Sequence, residues 1–588
     1  METKMKKKVS DIVLYVIGVL LLFFLIRRLY YTVSHYDEVF NIYVSYMTVG
    51  MGKRHLVENL MMMSMGNLFN LPFISIFYHI TGGMEGIVLF MRYMYLGLNL
   101  LLAAIFYGCF HRRLGKKTCL LFGLVLVSYA PFSIYSIWYD SVALFFLLAG
   151  CMLLFAEELN EEKKFRWMKY LAGICHACMA YAYPTMVGVI LVIFVGKLFF
   201  QIKRKTKIKE IFFYWFPYLL GGLSVLAVLA LYILYVGWEN IFLINQQSVG
   251  DALSGRTLGN IASDTSTVEN VDIASPVRVL MGNIFHKLGS ILTAMWRQQK
   301  AALLVTVLLL IQWGIGIWRK GIIRICLLFE IILTAVWFHN GMGQWATQTM
   351  YAYYFFWTPF LYCYLDKEER KRWRGVILIL DGAAIAAMVA VGFTAYYDMK
   401  ASMGLYSGAI GAFWLMIIIA KHKNNVESLW SAGVILFLAG CNVFMLYQNV
   451  YENEQVSECN YLMQKGIYKG IMAQEGDAIY EILPELFADI DLKEDATLYT
   501  NDFVYMPAFI EGDLLFNGGD PHEPEERIQA GVDVETAYRE FEWTDVIIMD
   551  NEKYMECPNV VEYILPKYYD LIHAEDNFYM YVKKDSRV

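Results

Sequence analysis

Two adjacent carboxylates, Asp37 and Glu38, follow shortly after the first long apolar run of this chain. A third, Asp140, sits in Trp138-Tyr139-Asp140 between two further apolar runs. An ionisable group beside a membrane is costly unless paired or wetted, so its presence there is a functional hypothesis in itself. Such carboxylates can take a proton from a hydroxyl as general base. They can also offer hard oxygen ligands to a divalent cation such as Mg or Mn. A blander account has Asp140 capping the helix that follows, because Asp is a favoured N-cap. That account fits the pair less well: adjacent carboxylates repel, and neither is needed for a cap.

The elements that must position these groups follow from composition. Of 588 residues, 58% are hydrophobic, 16% aromatic and only 18% charged. This is the profile of a polytopic α-helical membrane protein, not of a soluble globule. The net charge of -6 conceals a split. From Tyr451 to Val588 there are 31 Asp/Glu against 10 Lys/Arg, and before it 24 against 39. The expected layout is therefore a basic membrane body over 1–448 and a small acidic domain over 449–588. Residues 1–30 read as a retained first span and not a cleaved signal, since Arg27 and Arg28 follow the apolar run without a small-residue cleavage site.

Apolar runs place thirteen spans near 9–28, 85–108, 118–138, 141–156, 169–182, 184–200, 211–236, 300–318, 322–338, 348–364, 375–396, 404–420 and 429–448. Pro184 divides the long stretch 169–200 into two short helices, because proline removes a donor and clashes inside a helix. With the basic N-terminus (Lys4, Lys6, Lys7, Lys8) in the cytoplasm, every expected inner turn carries two or more Lys/Arg. The short outer turns carry Lys400 alone. That alternation follows the positive-inside rule and puts the acidic C-terminal domain outside a multi-pass cell-membrane protein.

Two outer loops are long, 29–84 and 237–299. The first holds the carboxylate pair and amphipathic stretches at Leu56–Met65 and Leu68–Ile80, of the kind that lie along a membrane surface. In the tail, β-like runs at Ala496–Thr500, Asp545–Met549 and Phe578–Val582 alternate with helix-like stretches at Asp477–Phe487 and Pro558–Asp570, which reads as a small α/β domain. Eight of ten cysteines lie in or beside spans, where cysteine is a small buried apolar residue. Cys175 and Cys178 form a lone CxxC, weak as a metal or redox motif. Cys459 and Cys557 are the one outer pair available for a disulfide.

This layout resembles the GT-C superfamily of integral-membrane glycosyltransferases, which use polyprenyl-phosphate-linked sugars, and within it the protein O-mannosyltransferases and lipid A aminoarabinose transferases. Asp37-Glu38 matches the acidic motif of the first outer loop in those families, and Asp140 the acidic residue of the second outer turn. Arg92 and Tyr107, followed by His111-Arg112-Arg113-Leu114-Gly115-Lys116-Lys117, match the arginine, the aromatic and the basic turn of their second span. The similarity covers roughly 9–240. It implies transfer of a hexosyl or pentosyl group from a lipid-phosphate-linked donor to a glycan, glycolipid or protein acceptor on the outer face of the membrane. Asp37 would be the general base. Glu38 and Asp140 would tune it, orient the acceptor or hold a divalent cation. The departing phosphate needs cationic partners, for which the outward-facing candidates are Arg92, Lys53, Arg54, His55, Arg256, Arg278, Lys287 and Arg297.

The alternative is a transporter or flippase of lipid-linked or polysaccharide intermediates, for which the charges within spans, Glu330 and Asp381, would matter more. The aromatic run Tyr351–Trp357 reads either as the border of an acceptor cleft or as an interfacial belt. There is no GxxxxGK[ST] and no strand-borne GxGxxG, so a nucleotide-sugar donor or ATP-driven transport has no support. Basic residues are spread over membrane turns, and nucleic acid has no footprint.

Overall fold

The structure, a computed structural model, describes residues 2–34, 37–52, 64–159, 166–239, 343–365, 367–394, 398–421, 426–448, 455–490, 496–500, 520–541, 543–574 and 578–586, with isolated positions between them. The expected spans 300–318 and most of 322–338, with Glu330, lie outside the described residues. The chain is mostly helical. Among the described residues, five helices are long and apolar enough to cross a membrane: Ile87–Leu114, Tyr139–Glu158, Pro184–Lys203, Ile208–Val236 and Ser431–Gln448. On this ground it is a multi-pass membrane protein. Two compact units divide it.

The first unit comprises Met1–Leu29, Arg54–Phe69 and Arg92–Gln455. Its leading helices are α1 (Glu2–Arg28), α3 (Ser64–Asn67), α5 (Ile87–Leu114, from Arg92 on) and α6 (Lys116–Ser128), whereas α2 (Asp37–Val49) and α4 (Leu71–Thr81) belong to the second unit. They continue with α7 (Tyr139–Leu159), α8 (Arg166–Ala182), α9 (Val187–Lys203) and α10 (Ile208–Val236). The final helix Val426–Gln448 packs on α1. Buried Arg28 donates from Nε to the Leu446 carbonyl at 2.6 Å, and Tyr447 donates to the Phe24 carbonyl at 2.8 Å. Polar heads near the ends of these apolar helices are thus spent on backbone carbonyls of the neighbouring helix.

Between α8 and α10 the two backbones touch. A Cβ on Gly173 would lie 2.0 Å from the Tyr218 carbonyl oxygen, and one on Gly221 2.0 Å from that of Tyr170. Small residues allow this approach where lipid supplies no hydrophobic drive between helices. Tyr170 and Ser224 share a hydrogen bond at 3.0 Å across the same seam, as do His176 Nδ1 and the Tyr218 hydroxyl at 2.8 Å. His176, the histidine inside the CxxC, is therefore a bonded core residue, and Cys175 and Cys178 are free thiols. Gly173→Val is expected to lower unfolding stability in detergent by roughly 1–3 kcal/mol. Gly188→Ala, where nothing lies within 4 Å of the added carbon, is expected to be neutral or slightly stabilising.

At the far ends of these helices Lys169 pairs with Glu157 at 2.8 Å and lies 3.3 Å over the Tyr214 ring. Glu158 takes both Lys197 and the Tyr214 hydroxyl. One charge network therefore ties α7, α8, α9 and α10 together, with each acid paired as partial burial requires. The break at Pro184 is present: α8 ends at Ala182 and Pro184–Met186 forms a 3-10 turn before α9.

The third expected span ends early. Instead of running to residue 138, α6 stops at Ser128, and Tyr129–Trp138 is irregular, buried chain. Pro131 opens a 3-10 turn there, with Phe132 and Ser133 at φ 58° and 63°. Non-helical backbone at such depth survives only where protein satisfies it. Here Tyr95 and Asn99 donate to the Tyr129 carbonyl at 3.3 and 3.5 Å, and Tyr135 to that of Val127 at 2.6 Å. Asp140 is accordingly reached by a buried linker and not by a tight turn between two spans. The aromatic run likewise turns inward: Tyr351, Tyr354 and Trp357 are buried, and Tyr351 donates to Asn442 at 2.8 Å. It is core, neither belt nor cleft border.

The second unit comprises Tyr30–Lys53, Asn70–Met91 and Val456–Val588. Its main sheet has the order β4-β3-β5-β7-β6, formed by β3 (Thr497–Thr500), β4 (Leu515–Phe516), β5 (Val546–Asp550), β6 (Tyr569–His573) and β7 (Phe578–Lys583). β3 runs parallel to β4 and β5, and β7 antiparallel to β5 and β6. Trp543, Ile547, Met549, Val560, Ile564 and Tyr569 fill the core on one side. Buried Glu525 is stabilised by N–H donors from Val560, Asn559 and Gln529 at 2.9, 2.7 and 2.9 Å. Cys459 and Cys557 are both buried and no disulfide joins them; burial pushes the Cys557 thiol pKa up to about 12.

Candidate functional site

Asp37 and Glu38 are the first two residues of α2. Unbonded N–H groups and the helix dipole favour negative charge at that end. Glu38 is buried at 1% exposure, whereas Asp37 is described by its backbone alone. The chain leading into α2 is held by the tail. Thr32 N–H donates to the Met472 carbonyl at 2.9 Å, Met472 N–H to that of Tyr30 at 2.7 Å, and the buried Tyr468 hydroxyl to that of Ser34 at 2.6 Å. Thr32 stands at φ 68°, a strained setting for a β-branched residue that these bonds hold in place. The start of α5 is fixed in the same way, by Gly86 and Val88 N–H groups on the Gly466 and Ile467 carbonyls and by Glu85 against Lys469 at 3.1 Å. The stretch 461–473, with the two short strands β1 (Tyr461–Leu462) and β2 (Met472–Ala473), therefore positions the carboxylate-bearing helix.

In the first unit Asp140 lies in the first turn of α7 and is fully buried. Lys400 Nζ stands 2.7 Å from Asp140 Oδ2 and donates to the Tyr139 hydroxyl, also at 2.7 Å. The ammonium lies 4.8 Å over the Tyr139 ring, 5.5 Å from that of Trp138 and 5.7 Å from that of Phe132. Carboxylate, hydroxyl and three aromatic faces together hold one desolvated cation. Lys400 arrives on the 3-10 segment Asp398–Leu405. Gly404 of that segment presses on the helix Lys367–Thr394 so closely that a Cβ would lie 2.2 Å from the Met388 nitrogen. Ser141, rather than Asp140, meets the linker backbone, accepting from Trp138 N–H at 2.9 Å. Asp140 is thus an ion-pair member and not merely a cap.

Arg92 is buried at 4% exposure and donates from Nη1 to the Leu29 carbonyl at 2.9 Å, just past the end of α1. At least one arm of its fork is committed to backbone. Arg54 is exposed, while Lys53, His55, Arg256, Arg278, Lys287 and Arg297 lie outside the described residues. The structure places Arg92 and Asp140 in the first unit and Asp37 and Glu38 in the second. Lys400 was missed as a site residue, although the sequence marks it as the lone cation of the outer turns.

A divalent cation on Asp140 would have to displace the Lys400 ammonium or sit beside it against like-charge repulsion. Among the described residues no three His, Cys, Asp or Glu side chains gather as a ligand group. Asp140 as arranged, paired with Lys400, does not fit a cation ligand.

No family model matches the sequence, and comparison with curated proteins finds no match. Among solved structures the chain is similar to ArnT from Cupriavidus metallidurans in the apo state, at 9% identity and a TM-score of 0.40, over 96% of this chain and 97% of that one. ArnT bound to undecaprenyl phosphate aligns at 9% identity and 0.41, over 97% of each. The archaeal oligosaccharyltransferase AglB from Archaeoglobus fulgidus, in complex with an inhibitory peptide and a dolichol-phosphate, aligns at 11% identity and 0.45, over 97% of this chain and 74% of that one.

Proposed function

We propose that this chain is a membrane glycosyltransferase that moves a sugar from a polyprenyl-phosphate-linked donor to an acceptor hydroxyl on the outer face of the cytoplasmic membrane. The observation that carries the reading is the carboxylate pair opening α2 directly after α1, with Glu38 buried and the preceding chain locked by the tail. Asp37 takes the proton from the acceptor hydroxyl as the acceptor oxygen bonds to the anomeric carbon. The bond from that carbon to the phosphate oxygen breaks, and its electron pair leaves on the polyprenyl phosphate. Attack from the opposite face inverts the anomeric centre. Surface glycans or glycolipids of cells with and without this protein test the reading. An identical profile would count against it.

Arg92 belongs to the donor side in this account. A guanidinium forks onto phosphate oxygens, which an ammonium cannot copy. Arg92→Lys is therefore expected to raise KM for the lipid donor while the charge is kept. Unchanged kinetics in Arg92→Ala would remove Arg92 from the site. Sidedness has its own test. Reporter fusions after Lys117, Lys209 and Arg374 are expected in the cytoplasm, and those after Asp140 and Val588 outside. A cytoplasmic Val588 would place the acidic domain on the wrong face for this chemistry.

A further inference from the structure

We propose that Lys400 occupies, against Asp140, the place a divalent cation would otherwise take, so that sugar transfer by this chain needs no bound divalent metal. The inference rests on the transferase reading for its activity arm but stands on its own geometry. Asp140 is fully buried, and its Oδ2 has the Lys400 ammonium at 2.7 Å. That ammonium is not a loose surface charge. It is bonded to the Tyr139 hydroxyl at 2.7 Å and faces the rings of Tyr139, Trp138 and Phe132, with 14% of its side chain exposed.

Mg and Mn demand several oxygen ligands at short range and give up their own water reluctantly. To reach Asp140 such an ion must expel an ammonium that already satisfies the carboxylate, or sit beside it and meet like-charge repulsion where solvent screening is weak. The aromatic rings supply no hard oxygen donor in exchange. The lysine also cannot drift aside with its segment, because Gly404 seats that segment on the backbone of the neighbouring helix. A fixed side-chain cation thus does the electrostatic work at the buried acid, with no ion to be recruited from solution.

The test uses full-length purified protein, treated with EDTA, with manganese(II) as probe. Wild type is expected to transfer sugar equally well with and without EDTA, and to show no manganese(II) binding by electron paramagnetic resonance titration. Lys400→Ala exposes the carboxylate to solution cations. It is expected to lose roughly 10–100-fold in turnover, the usual cost of a missing supporting partner, to bind manganese(II), and to regain activity with it. The manganese(II) site should vanish in Lys400→Ala/Asp140→Asn. Wild-type activity that is lost in EDTA and restored by Mg or Mn would overturn the proposal. So would a folded Lys400→Ala that binds no manganese(II). If Lys400→Ala does not fold, the two wild-type measurements decide alone. A wild type inactive under every metal condition would instead sink the transferase reading, and the binding titration would still judge the lysine.

Discussion

Replacing Asp37 by asparagine is expected to lower turnover by roughly 10²–10⁴-fold, the usual worth of general-base catalysis, with the protein still inserted and folded. The amide keeps the size and hydrogen-bonding shape of the side chain but cannot accept the acceptor's proton. Asp37 opens α2, where negative charge is favoured, so its loss costs the helix only a few tenths of a kcal/mol to about 1 kcal/mol. Catalytic and structural effects are therefore separable. Glu38→Gln and Asp140→Asn should cost less turnover if those groups tune or orient. A transporter would show a different order, with Asp381 or Glu330 more sensitive than Asp37. Transfer rates across these five substitutions, at matched protein levels, separate the two profiles.

Lys400→Met is expected to destabilise the protein by about 3–5 kcal/mol, because it strands a carboxylate inside the protein without its counter-charge. The lower end is expected, since Lys400 keeps 14% of its side chain in contact with solvent while Asp140 keeps none. The double variant Lys400→Met/Asp140→Leu should recover most of that loss, as apolar replacements of buried pairs commonly do. Unfolding in detergent, followed as a double-mutant cycle, measures the coupling. Additive single effects would mean that the 2.7 Å contact contributes nothing.

What the sequence made legible was whatever hydropathy and proline encode. The apolar runs locate α5, α7, α9 and α10, and Pro184 marks the break between α8 and α9. Hydropathy did not show that α6 ends at Ser128, because the largely apolar and aromatic Tyr129–Trp138 continues the run, while its irregular backbone is set by bonds to neighbouring elements. Pro131 was the available signal. β6 was hidden for a related reason. Tyr569–His573 follows directly on a helix, and its strand state comes from pairing with β7, a tertiary fact. Of the candidate site, the three carboxylates were legible as types in a costly place. The partner of Asp140 was not, since Lys400 reads locally as an exception to the charge rule, and only the fold brings it to α7. The clamp of 468–472 on 30–34 combines two backbone bonds with the Tyr468 hydroxyl on the Ser34 carbonyl, and backbone bonds between segments so far apart in sequence leave no local signature to read.

A glycosyltransferase of the proposed kind breaks the bond between a sugar and a polyprenyl phosphate. Purified protein in liposomes, given a labelled polyprenyl-phosphate-linked sugar and a mixture of hydroxyl acceptors, tests it most directly. Free polyprenyl phosphate is expected in equal amount to glycosylated acceptor, and neither product above about 1% of that level with Asp37→Asn. Intact sugar lipid carried to the opposite leaflet, with no polyprenyl phosphate released, would contradict it.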